Sequence, residues 1–375
     1  MGKIKTIYEF HVIRYFRVVS YCVLLCLFSC SSNHSPKNIR LVKGFPVSSN
    51  LIGSKASVEN SNFNPLLLGL KDSLLVVCDI ENSPHFHVFT LPGLEYSGAF
   101  GRMGRGPFEF ENPLFWGQFS NTERIKIWVY EMNRLTLSLI DVYNALQDDQ
   151  YTAEKVISLP PQVDDASNFL VLNDSTLIGS GLFAQNEFVI YCREQEQLNW
   201  IPININYAEG LKTFLERNTS YSEFLKQGVF KIKPDNTRFV KSHVYFPVID
   251  VYNASGVLEF TIQLSGKSVV PLFDEGTFDP QTKAWYENIF LTDHFIYALN
   301  RNCNIQQYAN NECNNSEIHV FDWMGAPIVK YNLNEMIAPG SPFVVDEKNQ
   351  KIYIVSFVDP DEFFHVFDIS LTPFL

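Results

Sequence analysis

A short phrase recurs along this chain and narrows what the chain can fold into. FHVFTLPG begins at Phe86, IDVYNASG at Ile249, IHVFDWMG at Ile318 and FHVFDIS at Phe364, with a less complete copy, IDVYNAL, at Ile140. The shared order is apolar, polar, Val, aromatic, usually followed by a turn residue and Gly. It describes a strand with alternating faces running into a tight turn. Another strand signal follows the glycine, VLEFTIQL in one copy and APIVKYNL in another. A further one opens each unit: DSLLVVCDI from Asp72, ERIKIWVYE from Glu123, DSTLIGSGLF from Asp174, KSHVYFPV from Lys241, DHFIYALN from Asp293 and QKIYIVSFV from Gln350. Such openings, spaced by roughly 50 residues with about four short strands per unit, are the mark of a β-propeller, here with six blades. One unit alone cannot bury both faces of its sheet; units stacked around an axis bury them against each other.

Closing the ring needs one more strand. The last unit, from Phe343, shows an inner strand, a middle strand and FFHVFDIS, and then no fourth strand signal before Leu375. The segment NIRLVKGFPV, from Asn38, has no blade of its own. The expectation is therefore an all-β, six-bladed propeller over residues 38–375, with the segment from Asn38 supplying the missing outer strand of blade six and removing two exposed sheet edges. One stretch, about 207–227, breaks the β pattern. In YAEGLKTFLERNTSYSEFLKQ the residues Leu211, Phe214 and Leu215, then Tyr221, Phe224 and Leu225, fit one or two short amphipathic helices. Such an insertion either packs on the propeller or acts as a lid or partner surface.

The first 29 residues read as a targeting segment. Lys3, Lys5, Arg14 and Arg17 precede an apolar run, Val18 to Phe28, that is too short to span a bilayer. The run ends in Leu27-Phe28-Ser29-Cys30, which resembles a bacterial lipobox, although Phe28 departs from the usual small or β-branched residue. Cys30 is then the lipidated N-terminus, and polar residues 30–37 form a flexible tether. Lipoproteins of the Bacteroidetes that reach the cell surface tend to carry an acidic run after this cysteine. None is present here, so the expected address is the outer membrane, facing the periplasm, with surface exposure as the alternative. The formal net charge of −12 argues against nucleic acid as a partner, because phosphate contacts need clustered Lys and Arg.

GRMGRGPFEF, Gly101 to Phe110, invites a nucleotide reading. A P-loop needs Gly-Lys-Ser/Thr leading into a helix, and a dinucleotide fingerprint needs its glycines in another order after a parallel strand. Neither is present. The stretch falls between the outer strand of blade one, EYSGAF, and the start of blade two, NPLFWGQF. It reads as the corner where the chain turns from the rim to the axis, with Phe108 or Phe110 plugging between blades. The longer stretch FGRMGRGPFEFENP resembles the inter-blade linker of NHL-type six-bladed propellers. With the lipobox and the six blades, the chain resembles the TolB-like six-bladed propeller lipoproteins of Bacteroidetes. That resemblance covers nearly the whole mature chain and implies a fold, with little said about chemistry. The other five linkers lack the glycine run.

Candidate chemistry is sparse. His87, His319 and His365 share one slot of the repeat, which Asp250 and Asp141 fill in other copies. Equivalent positions on different blades stand apart around a ring and cannot converge on one ion. Six-bladed lactonases and related hydrolases hold Ca²⁺ or another cation in the central channel. Here the acids near inner strands, Asp72, Asp174 and Asp346, sit at turns, where Asp is favoured by local hydrogen bonding. No nucleophile elbow or Ser/His/Asp set is evident. Cys303 and Cys313, in a polar insertion of blade five, suit a disulfide in an oxidising compartment, while Cys78 and Cys192 sit in strand patterns. Asp72-Ser73-Leu74 and Asp174-Ser175-Thr176 resemble the O-glycosylation signal of Bacteroidetes, at Ser73 and Ser175.

Propeller geometry gathers the glycine linker, the helical insertion and the cysteine loop on one face, together with Arg102, Arg105, Arg134 and Arg301. Long loops on a rigid scaffold are where binding usually resides. Arginines there point to an anionic small molecule or glycan, or to an envelope protein. The sequence thus favours a non-enzymatic binding propeller with no cofactor. The competing reading is a metal-dependent hydrolase or lactonase with Ca²⁺ in the central channel.

Overall fold

Leu74–Cys78 is buried at all five of its positions. A strand apolar on both faces needs a sheet packed on each side of it, and the fold provides this by placing its sheets radially. The computed structural model describes residues 38–58, 64–106, 109–183, 186–203, 227–267, 273–274, 277–310, 312–313, 316–357 and 363–371. The targeting segment, the tether with Cys30, and the expected helical insertion apart from Gln227 lie outside these residues, as do Pro107 and Phe108.

Blade one is the antiparallel sheet Leu67–Lys71, Leu74–Cys78, Phe86–Thr90 and Glu95–Phe100. Blade two is Pro113–Leu114, Lys126–Glu131, Thr136–Asp141 and Lys155–Ser158. Blade three is Ala166–Val171, Thr176–Gly181, Asn186–Cys192 and Gln197–Pro202. Blade four is Phe230–Ile232, Arg238–Ser242, Val248–Asn253 and Leu258–Leu264. Blade five is Lys283–Leu291, Phe295–Asn304, Glu317–Asp322 and Pro327–Leu333. Blade six has three strands of its own, Phe343–Asp346, Lys351–Val355 and Phe364–Asp368.

Six apolar cores hold the ring, one at each interface between neighbouring blades. Leu75 and Phe89 of blade one, for example, pack on Val344 and Tyr353 of blade six, which closes the circle. The repeat phrase is the third strand of its blade, and its polar slot is buried in each copy: His87, Asp141, Asp250, His319 and His365. Such groups need partners, and they have them. Asp250 accepts from Thr261 and contacts His243, and His319 bonds Tyr286.

The ring is closed by a strand from the N-terminal side, though not by the segment expected. Ile39–Val42 lies parallel to Leu258–Leu264 as a fifth strand on blade four. Val47–Leu51 does the same on Pro327–Leu333 of blade five. Only Ser54–Ala56 reaches blade six, antiparallel to Phe364–Asp368. We call residues 39–56 the strap. Its apolar residues explain its path: Val42 enters the core between blades four and five, and Leu51 enters the core between five and six.

Two local expectations are also corrected. KSHVYFPV is not a strand: the second strand of blade four, Arg238–Ser242, ends where this stretch begins. Ser242 Oγ accepts from Val229 N–H, and the buried His243 turns back onto Asp250. IDVYNAL does not run into a tight turn. Asp141 ends its strand and caps the helix Val142–Gln147 by accepting from Asn144 N–H, so a side chain in the repeat's polar slot starts a helix instead.

Candidate functional site

The described residues of Gly101–Phe110 form a loop tied down by its own hydrogen bonds. Arg102–Met103 pairs in parallel with Glu109–Phe110, and Gly104 N–H donates to Phe110 O. Gly106 N–H donates to Glu109 Oε2 at 2.8 Å. The amides of Glu111 and Asn112 both donate to Glu131 Oε1, at 2.6 and 3.2 Å. A phosphate would need free amides, and here protein carboxylates occupy those of Gly106, Glu111 and Asn112. Gly101, at φ +84°, presses so close to the Phe86 ring that a Cβ would lie 2.7 Å from it. Phe110 meets that ring edge-on, filling the gap between blades one and two. The loop is a corner of the fold.

Glu131 is the keystone of this corner, itself buried and bonded to the amides of two half-buried residues. Glu131→Ala is expected to cost about 3 kcal/mol, since bonds to a charged acceptor are lost and half-buried donors are left bare. Urea unfolding of the variant beside wild type measures this directly.

Beside the corner lies a cleft of about 730 Å³ between blades one and two. Met103, Phe110, Tyr151 and Val156 supply apolar surface, and Met103 and Val156 stand exposed. Three of the four expected arginines stand at or beside this cleft, each held by acids. Arg102 pairs with Asp149. Arg105, 86% exposed, bonds Glu111 Oε1 at 2.6 Å. Arg134 donates to Gly104 O and Glu109 O and lies 4.0 Å from Glu131. The cleft is therefore an apolar floor rimmed by ion pairs.

The fourth arginine is elsewhere. Arg301 is fully buried in blade five and cannot meet a ligand. It pairs with Glu287 and donates to Ser316 Oγ, Ile337 O and Ala338 O. Two residues further on, Cys303 is bonded to Cys313, and both cysteines are buried. Cys78 is buried in its strand, where burial pushes the thiol up to about 12, and Cys192 is half-buried. Ser73 is exposed in the turn between the first two strands of blade one. Ser175 occupies the matching turn of blade three and donates to Asn173 Oδ1.

On the opposite face, the turns between first and second strands surround a cavity of about 560 Å³ at the channel mouth. Two of its acids are held by neighbouring side chains and backbone. Asp346 accepts from Asn349, and Glu347 accepts from Thr292 and Tyr297. Among the described residues no three His, Cys, Asp or Glu side chains are grouped to hold an ion.

Inside the channel the structure shows a group that the sequence reading passed over. Lys231, on the inner strand of blade four, reaches blade two and donates to Trp116 O at 2.5 Å, with its ammonium 5.7 Å from the Trp116 ring. Trp116 Nε1–H in turn donates to Ser167 O of blade three. Burial pushes the Lys231 ammonium down to about 8. Folded and unfolded chains are both protonated below that pH. Between about 8 and the ordinary lysine value of 10.5, the folded chain releases its proton first, so stability rises with pH across this window. Lys231→Met is expected to flatten that rise, as read from urea midpoints at pH 7, 8, 9 and 10.

A closed ring of six blades of four or five strands, with its rim strapped by strands from the N-terminal side, defines a six-bladed β-propeller. The chain belongs to the TolB-like 6-blade propeller-like family, whose model matches residues 63–348. Two solved structures share the architecture. A DUF4221 family member from Bacteroides vulgatus aligns with TM-score 0.54 and 11% identity over 85% of this chain and 98% of that one. A protein of Bacteroides fragilis, described as exported, aligns with TM-score 0.50 and 12% identity over 86% of this chain and 98% of its own. No curated protein sequence matches the chain.

Proposed function

We propose that this protein is an exported, lipid-anchored binding propeller of the cell envelope, held at Cys30 and facing the periplasm. Its partner docks in the cleft between blades one and two. The observation that carries this reading is the composition of the cleft: exposed Met103 and Val156 over an apolar floor, with Arg102–Asp149 and Arg105–Glu111 nearby. An apolar centre inside a polar rim suits a protein segment. The arginines are neutralised in place, which favours an envelope protein over an anionic small molecule or glycan at this position. The export described for the Bacteroides fragilis relative and the targeting segment support the address.

Lys231 also supports binding over the hydrolase reading. A cation bound in the channel would share a narrow space with a fixed ammonium, and like charges at close range repel.

The test is site-specific crosslinking in cells, with a photoreactive residue at Met103 or Val156 and a control at Val257, an exposed position between the last two strands of blade four. One discrete partner captured from the first two positions, absent from the third and lost with Arg102→Ala/Arg105→Ala, is expected. Equal capture from all three positions, or none from any, would sink the proposal.

A further inference from the structure

The strap does more than cover sheet edges: between blades four and five it roofs a cavity of about 460 Å³. The walls carry Lys43 from the strap, Lys267 after the last strand of blade four, and Lys330, Glu317, His319 and Asn300 from blade five. Three lysines against one glutamate make this lining basic in a chain of net charge −12. The cleft and the channel mouth are both lined by more acids than bases.

The floor is rigid. His319 Nδ1 bonds the Tyr286 hydroxyl at 2.9 Å, and Nε2 bonds Glu317 Oε2 at 2.8 Å. Phe45 of the strap packs on the His319 ring with centroids 4.6 Å apart. Both ring nitrogens are engaged, so the histidine shapes the site and leaves no nitrogen to take a proton from a bound molecule. Burial pushes the Glu317 carboxyl up, but the bonds from His319 and Lys330 outweigh it and hold it at about 2. It is therefore a permanent anion, and Lys330, 2.8 Å away, cancels it.

What remains uncancelled is Lys43 and Lys267. Among the described residues neither joins an ion pair, although Lys267 lies 6.0 Å over the Trp285 ring. Two neutral groups of the lining, the Asn302 amide and the Ser265 hydroxyl, also have no bonded protein partner among the described residues. Two free ammoniums with a free amide and a free hydroxyl complement a molecule bearing negative charge and hydroxyl groups together. The volume falls in the range of small-ligand pockets.

We propose that this strap-roofed pocket binds a sugar-sized organic anion, with its charged group between Lys43 and Lys267 and its hydroxyls toward Asn302 and Ser265. The site is separate from the cleft between blades one and two, so either proposal can fail without the other.

Glucuronate and glucose 6-phosphate present the same hydroxylated anion with a carboxylate or a phosphate. Each is titrated calorimetrically into the chain starting at residue 31, with glucose as the uncharged control. Saturable binding of at least one anion is expected, weakened by salt as exposed lysines require. It should weaken about tenfold in Lys43→Met and in Lys267→Met, a change equivalent to about 1.4 kcal/mol. Both lysines are exposed, and unchanged melting of the unliganded variants verifies their folding. Which anion binds more tightly identifies the charged group. The proposal is overturned if neither anion binds at millimolar concentration, if glucose binds as well as they do, or if the double variant binds like wild type.

Discussion

Arg301→Ala should destabilise the propeller by about 3–5 kcal/mol, because it strands the buried Glu287 carboxylate without its counter-charge. It also removes the donors to Ser316, Ile337 and Ala338. Those last two carbonyls belong to the link from blade five to blade six, so the guanidinium pins that link to the second strand of blade five. Arg301→Lys keeps the charge but lacks the planar fork, and only partial rescue is expected. Adding Glu287→Gln to Arg301→Met should recover part of the loss, since the orphaned charge goes with it. Urea unfolding of the four proteins tests the set. An Arg301→Ala chain as stable as wild type would return this residue to the surface role that its sequence context suggested.

Removing the strap should have an even larger effect. A chain begun at residue 58 lacks the parallel partners of blades four and five, and it leaves blade six with three strands. Three outer edges would open at once, and open edges recruit other chains. The core would also lose Val42 and Leu51. The chain begun at residue 38 should be monomeric and melt in one cooperative step, while the chain begun at 58 should aggregate or elute as soluble oligomers. Size-exclusion chromatography with thermal melting distinguishes these outcomes. A monomeric shorter chain with unchanged melting would reduce the strap to an ornament.

The blades were legible because their signal is local and repeated: alternation, aromatic, turn, glycine. The course of the strap was not. Antiparallel neighbours announce themselves through a tight turn, whereas Ile39–Val42 pairs in parallel with Thr261–Leu264, and no short connection marks the partnership. Ser54–Ala56, the strand that does close blade six, is three residues of Ser, Lys and Ala with no apolar pattern to display. Arg301 misled for a related reason. Its sequence neighbours are asparagines, but it is held in the interior by Glu287, by Ser316 and by a link more than thirty residues downstream. The basic pocket was invisible because Lys43, Lys267 and Lys330 come from three separate stretches of chain and meet only once the strap is in place. Lys231 stood in an unremarkable FKI strand, and only the ring's curvature carries its ammonium to Trp116.

The strap also sets the order of events in time. A chain made from its N-terminus presents residues 39–56 first, yet their partners lie in the last three blades. Ser54 waits for Val366, 312 residues away. Blades one to three can pair their own strands as they emerge, because each is a run of local hairpins. Closing the ring must come last, and contacts this distant in sequence make it the slow step. Until then three short strands stay unpaired, in the stage when such a chain is most exposed to misassembly. The beginning of this protein must therefore stay unpaired until its end arrives.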